Sequence, residues 1–434
     1  MEWEDAGQGS IAIGVTRTLM GSASIPTTPI IWKVDRQLWG DDDNVYDPEI
    51  ISIGPFHHGK PNVMNMELYK LRYLQQLLQR RKVNPLDTYV SAAVGMEKMA
   101  RKCYAESIDL NESDFVKMMV LDACFLGEFL RYHGLKNLRD PNDPLFGNER
   151  ILRKLQHDIL LLENQLPFFV LNHIFNMSKS EDPNDDLTSL ILLFAKGKFL
   201  NLLPPAGSLP IKSTDHMFGL LHDVLVLPSV EMIQPENVWK KSEAAHWVWE
   251  HLEPVSNLRS EGIKFSSCEH RSNILDIEFV KGVLIMPQLV VYDQMESLLK
   301  NVMAYEHYQI PYGKPRYVSD YVFLLNCLIN TPEDVKWLRR CGIIESYIGN
   351  DEQVCMMINR LARNILASSN FYYSKVFYDI NRHCRHRTKK WFAQLRRDYC
   401  NSPWSILAVL ASVALFGFAA VQTVYAVNSY YRKP

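Results

Sequence analysis

Apolar positions recur at three- and four-residue spacing through most of the chain, and that period predicts a mainly helical protein. In "MELYKLRYLQQLLQRR", Met66, Tyr69, Tyr73, Leu74, Leu77 and Leu78 fall on one stripe. In "SDFVKMMVLDACFLGEFLRYHG", Phe115, Met118, Met119, Phe125, Leu126 and Phe129 point inward, and Gly134 stands where a helix stops. "ERILRKLQHDILLLENQLPFFVLNHIF" reads as one long apolar helix interrupted at Pro167. The polar runs "SKSEDPNDD" and "LPPAGSLPIKSTD" read as loops. Further on, "TPEDVKWLRRCG" offers Thr331 as N-cap, Pro332 at the first helical position and Gly342 as a stop. "NDEQVCMMINRLARNIL" opens with Asn350 and Gln353, which fit a capping box.

One region changes period. Leu275, Ile277 and Phe279 alternate with Asp276 and Glu278, a turn falls at Lys281-Gly282, and Val283 to Val291 continues as an apolar run. This predicts a small antiparallel β element, with Gly262 to Phe265 as a candidate third strand.

The end of the chain alters the picture. No residue from Ser405 to Val427 is charged. A helix of that length extends roughly 35 Å, enough to cross a hydrocarbon core. Trp404 and Tyr425, with Tyr430 and Tyr431 beyond, sit where interfacial aromatics belong. The fold expected is therefore a large helical domain over 28–385 with a small β element, a basic juxtamembrane segment over 386–403, a transmembrane helix over 404–428 and a short tail over 429–434. Residues 1–27 are Gly/Ser/Thr-rich and expected to be disordered, and they lack the basic-then-apolar pattern of a signal peptide. Arg382, Arg385, Arg387, Lys389, Lys390, Arg396 and Arg397 outweigh Arg432 and Lys433 on the far side, which places the bulk in the cytosol. The localisation expected is a single-pass protein of the plasma membrane or endomembranes. Its lipid partners are the bilayer around the helix and anionic head groups at the basic flank. Cys400, beside that helix, is either a palmitoylation site or a plain thiol.

Composition narrows the function. The net charge of −2 supplies no field for nucleic acid. The eight cysteines form no C-x-x-C pair, which argues against a zinc ribbon or redox dithiol, and several lie inside apolar helical runs as reduced core residues. No nucleophile elbow, phosphate loop, dinucleotide fingerprint or H-E-x-x-H motif occurs, so no catalytic residue, cofactor or metal is expected.

Two stretches still hold candidate chemistry. In "SIGPFHHG", His57 and His58 follow a Gly-Pro turn. Adjacent rings point different ways and no further ligands are visible, so the reading is a rigid corner, with a ring bonded to a backbone carbonyl and Gly59 permitting positive φ. A ligand or partner contact and catalysis are the alternatives. In "ENQLP", Glu163, Asn164 and Gln165 interrupt an apolar helix. They form either a buried polar network pinning the break at Pro167 or the wall of a binding pocket. Glu67 and Lys70, three residues apart, read as a solvated ion pair.

Taken together, "YDPEIISIGPFHHG", "MELYKLRYL", "MVLDACFLGEFL", "DILLLENQLPFFVL", "GIKFSSCEHRSNILDIEFVKGVLIMPQLVVYDQMESLLKNVMAYEH", "DVKWLRRCGII" and the apolar tail resemble the plant domain of unknown function 247 family, over about residues 28 to 430. The resemblance implies a land-plant origin, a mostly helical domain, a C-terminal membrane helix and no established enzymatic activity. Some grass members are associated with pollen-side self-incompatibility, which implies recognition rather than turnover. The function expected is thus a membrane-anchored recognition or scaffold protein with an unknown protein partner. The alternative is an enzyme with an unrecognised active site.

Overall fold

The computed structural model describes residues 29–36, 44–80, 86–196, 215–232, 252–268, 273–363, 365, 368–385 and 403–431 of the chain. The 1–27 segment, the basic stretch 386–402 and Cys400 lie outside the described residues.

Helices α1 (Met64–Arg80), α2 (Leu86–Arg101) and α3 (Glu112–Gly134) open the fold. Asn111 caps α3 by accepting from the Asp114 N–H at 2.9 Å. Sequence periodicity predicts one inward stripe for α3, but this helix is buried on every face from Met118 to Tyr132. It is the axle on which α1, α2, α5 (Phe168–Met177) and α6 (Leu187–Lys196) pack. A fully buried Arg131 ties α3 to its neighbours. Its guanidinium donates to Asp185 at 2.8 Å, Glu128 at 2.8 Å and Ser178 at 2.9 Å, and stacks over Phe175.

The expected long helix through Pro167 is two helices. The first, α4, spans Glu149–Ile159, and α5 begins directly after Pro167. The residues between them turn back on themselves, so "ENQLP" lies in a buried connection and not inside a helix. Three polar residues in succession take hydrogen bonds away from the helical ladder, and Pro167 cannot donate to it.

Helices α7 (Met217–Met232) and α8 (Val255–Ser260) lead to the sheet region. β2 (Glu278–Val280) and β3 (Val283–Met286) form the expected antiparallel hairpin, turning on Lys281 at φ 49° and Gly282 at φ 84°. The candidate third strand, β1 (Lys264–Ser267), joins β3 in parallel, so the sheet is mixed and not purely antiparallel. The apolar run from Val283 breaks after Met286. Its last part, β4 (Leu289–Val291), pairs in parallel with β5 (Ile344–Ser346). Helices α9 (Met295–Gln309), α10 (Tyr317–Leu328), α11 (Pro332–Arg340), α12 (Asp351–Leu361) and α13 (Ser374–Arg385) follow, with α11 packed on β5, α13 on β2, and α9, α10 and α12 on one another. α11 carries the capping box of Thr331 and Asp334, and Gly342 follows its end at φ 71°.

The last helix, α14, covers Pro403–Tyr431. Here the transmembrane expectation for 404–428 is corrected: among the described residues no helix is long and apolar enough to cross a membrane. The single-pass membrane localisation and the lipid partnership through this helix and its basic flank rested on that span, and they fall with it.

Candidate functional site

Residues 51–54 of "YDPEIISIGPFHHG" are buried, follow a bend at the exposed Glu49 and half-buried Ile50, and join neither sheet of the described residues. A buried backbone still needs its hydrogen bonds. Buried side chains supply them here. Asp158 accepts from the Glu49, Ile50 and Ile51 N–H groups at 2.9, 2.7 and 3.0 Å. Asn164 accepts from the Ile53 N–H at 2.6 Å and donates to the Ile51 carbonyl at 3.1 Å. Lys70 donates to the Ser52 carbonyl at 2.6 Å, and Asp122 accepts from the Gly54 N–H at 2.8 Å. These groups act as the missing sheet partner.

Lys70 is completely buried, 2.5 Å from Asp122 and 2.6 Å from Glu67. The solvated Glu67–Lys70 pair expected from helical spacing is therefore a buried cluster. Burial alone would favour the neutral amine, but Asp122 and Glu67 outweigh it and hold the Lys70 pKa above the ordinary lysine value.

The corner at "SIGPFHHG" is built as expected. Gly54 sits at φ +78°, and a Cβ there would lie 2.5 Å from the Gln165 carbonyl oxygen. Gly59 sits at φ +79° in open space. The His58 N–H donates to Pro55 and the Lys60 N–H to His57, each at 3.3 Å. The two histidines part company at this corner. His58 is half-buried, and its Nδ1 has no hydrogen-bond partner among the described residues. His57 is buried between two carboxylates, not against a backbone carbonyl. Its Nδ1 lies 3.4 Å from Asp47 Oδ1 and its Nε2 3.0 Å from Glu163 Oε2. Neither ring nitrogen meets hydrogen-bond geometry, so these contacts are close but misaligned.

Asp47, His57 and Glu163 place one ligand atom each within 4.8 Å of one another, a grouping that could hold a metal ion. The geometry fits a metal poorly. The carboxylates flank opposite ring nitrogens, at 3.4 and 3.0 Å. The carboxylates also already face cations. Arg36 Nη2 lies 3.3 Å from Asp47 and 3.0 Å from Glu163, and Lys60 lies 3.1 Å from Asp47. Burial pushes the Asp47 carboxyl up, but Lys60, Arg36 and His57 together outweigh it and hold it below the usual carboxylate range. Glu163 also accepts from the Val34 N–H at 2.8 Å. The cluster clamps the segment at Val34–Arg36 to the corner and to the α4–α5 connection.

The remaining members of "ENQLP" are equally committed. Asn164 donates to the Asp158 carbonyl at 2.8 Å. Gln165 donates to the Ile159 and Leu161 carbonyls at 2.9 and 2.8 Å, and accepts from the Phe218 N–H at 3.1 Å. All three side chains are buried. The nearby cavity beside His157, Tyr292 and Ser297 measures about 20 Å³, room for a single water.

A larger opening lies elsewhere. α1 and α2 each pack on α3, and between their flanks runs a groove of about 620 Å³. Leu71 and Leu74 form one wall, Leu86, Val90 and Val94 the other, and Val116 and Val120 the floor. The apolar surface continues along α1 through Met64 and Leu68, the latter 71% exposed. Sequence reasoning missed this groove, because one inward stripe on α1 already accounted for the helical period. The signal was a second stripe, Met64, Leu68, Leu71, at the same spacing on another face. Asp122 and Asp158 were missed as well. Their signal was a lone acid inside an apolar run, as in "MVLDACFLGEFL" and "HDILLL".

Comparison with known proteins places the chain. It is 29% identical to the UPF0481 protein At3g47200 of Arabidopsis thaliana, over 92% of this chain and 86% of that protein. It is 23% identical to the putative UPF0481 protein At3g02645 of the same plant, over 91% of this chain and 89% of the relative. No solved structure matches it. The model of DUF247, described as a plant protein of unknown function, matches residues 31–418, and the chain belongs to that family.

Proposed function

We propose that this plant protein is a recognition or scaffold protein that binds a protein partner, and that it is not an enzyme. The observation that carries this reading is the apolar groove between α1 and α2. Leu71 and Val94 stand 48% exposed there, on opposite walls of one concave surface. Water-exposed apolar surface of that extent is characteristic of interaction sites. The polar clusters support the same reading from the other side. Asp158, Asn164, Gln165 and Asp122 spend their hydrogen bonds on backbone groups, which suits architecture more than turnover. The test is proximity labelling in plant cells by the full chain and by its Leu71→Asp/Val94→Asp variant. The reading expects a reproducible set of labelled proteins that the variant loses while remaining folded by circular dichroism. An unchanged set would refute it.

A further inference from the structure

We infer that the groove takes an amphipathic α-helix of the partner, oriented with a basic side chain over Glu112 and an acidic one over Lys117. This inference rests on the recognition reading and adds the chemistry of the occupant. The first support is shape. α1 and α2 share α3 as their common base, so the groove between them is bounded by two helices and floored by a third. A further helix, about 10 Å across, completes that layer by the same side-chain packing that holds the first three. Leu71 and Leu74 on one side, and Leu86, Val90 and Val94 on the other, offer apolar contacts at helical spacing along both walls. An occupant with apolar residues three, four and seven apart meets both walls at once.

The second support is charge. Glu112 and Lys117 line the groove and are exposed, and among the described residues neither has an ion-pair partner. They stand five residues apart on α3, roughly 7.5 Å along its axis and about 140° around it, so they flank the floor of Val116 and Val120 on opposite sides. An occupant without charge would leave both beside apolar surface with nothing opposite them. An occupant carrying a basic side chain on one flank of its apolar stripe and an acidic one on the other satisfies both, and the arrangement sets its direction.

The probes are two synthetic helical peptides with the same leucine stripe. One carries a lysine and a glutamate on opposite flanks of the stripe, the other carries glutamine at both positions. Binding to the full chain is followed by fluorescence anisotropy. The expected result is saturable binding, an affinity about three- to tenfold higher for the charged peptide, and loss of that preference in Glu112→Gln/Lys117→Gln. Leu71→Asp/Val94→Asp should weaken both peptides at least about tenfold. Absence of saturable binding, or binding indifferent to the charged pair and to the groove substitutions, overturns the inference. So does concentration-dependent dimerisation that Leu71→Asp/Val94→Asp abolishes, which would assign the groove to a second copy. Displacement of the probe by a peptide of residues 1–28 would assign it to this chain itself, with the same consequence. A failed peptide beside a labelled partner set that still depends on the groove removes the helix and keeps the recognition reading.

Discussion

At Gly54 the backbone turns at φ +78° with the Gln165 carbonyl so close that no side chain fits. A Val there must take up a left-handed backbone and displace a buried carbonyl. Gly54→Val should therefore cost at least about 2–3 kcal/mol and lower Tm more than His57→Gln. Thermal unfolding of the two variants compares them directly. The His57 cluster makes a second prediction. Because Arg36 and Lys60 already face both carboxylates, calorimetric titration with Zn²⁺ should show no stoichiometric site at Asp47, His57 and Glu163. Zinc uptake that His57→Gln removes would make the corner a metal centre. A third prediction concerns His222, on α7. Burial would push its pKa down, but Asp223 and Glu306 outweigh burial and raise it to about 9. A raised histidine pKa contributes stability that is complete below the unfolded value of about 6.5 and lost as pH rises through the folded value. His222→Gln should accordingly flatten the fall in stability between those two pH values, as read by denaturant titration at several pH settings. Much at this scale was legible. The glycines and the corner announce themselves by residue type and order. The burial of Lys70 did not, because its partner Asp122 is far off in sequence and only packing brings them together.

Elements here are joined by carboxylates as much as by packing. Glu306 on α9 accepts from the Val318 and Ser319 N–H groups at 2.9 and 2.8 Å and so fixes the start of α10. Asp320 accepts from the Ser368 and Tyr372 N–H groups at 3.0 and 2.8 Å, and burial pushes its pKa up to about 7. Asp334 accepts from the Thr331 N–H at 2.9 Å within the α11 capping box and from the Ser256 N–H at 2.8 Å. Thr331→Ala removes one half of that box and should cost about 1 kcal/mol, measurable by chemical unfolding. Asp158→Ala should cost several times more, because three N–H groups of the 49–51 strip lose their acceptor together and each unmet buried group costs about 1–3 kcal/mol. The N-caps at Thr331 and Asn350 and the Lys281-Gly282 hairpin could be read from sequence, because local chemistry determines them, although the reciprocal box forms at Thr331 and Asp334, while Asn350 caps one way by accepting from the Gln353 N–H. The break of the α4–α5 region into two helices was only half legible. Pro167 marks the place, but the turn before it is built by Asn164 and Gln165 reaching back to Asp158, Ile159 and Leu161. The parallel pairing of β4 with β5 was not legible at all, since it joins Leu289 to Ile344 across three intervening helices.

The whole molecule separates two kinds of surface chemistry. Its conspicuous polar motifs face inward and hold an extended strip in place, while its open groove is apolar and was hidden in the sequence behind an ordinary helical period. The most direct measurement of that division sets His57→Gln and Leu71→Asp/Val94→Asp side by side, reading Tm on the purified chains and partner labelling in plant cells. The account predicts a crossed result. His57→Gln lowers Tm and keeps the partner set, whereas the groove variant keeps Tm within about 2 °C, as exposed substitutions do, and loses the partners. The opposite crossing, with His57→Gln stable but stripped of partners and the groove variant fully competent, would contradict it and move recognition to the histidine corner.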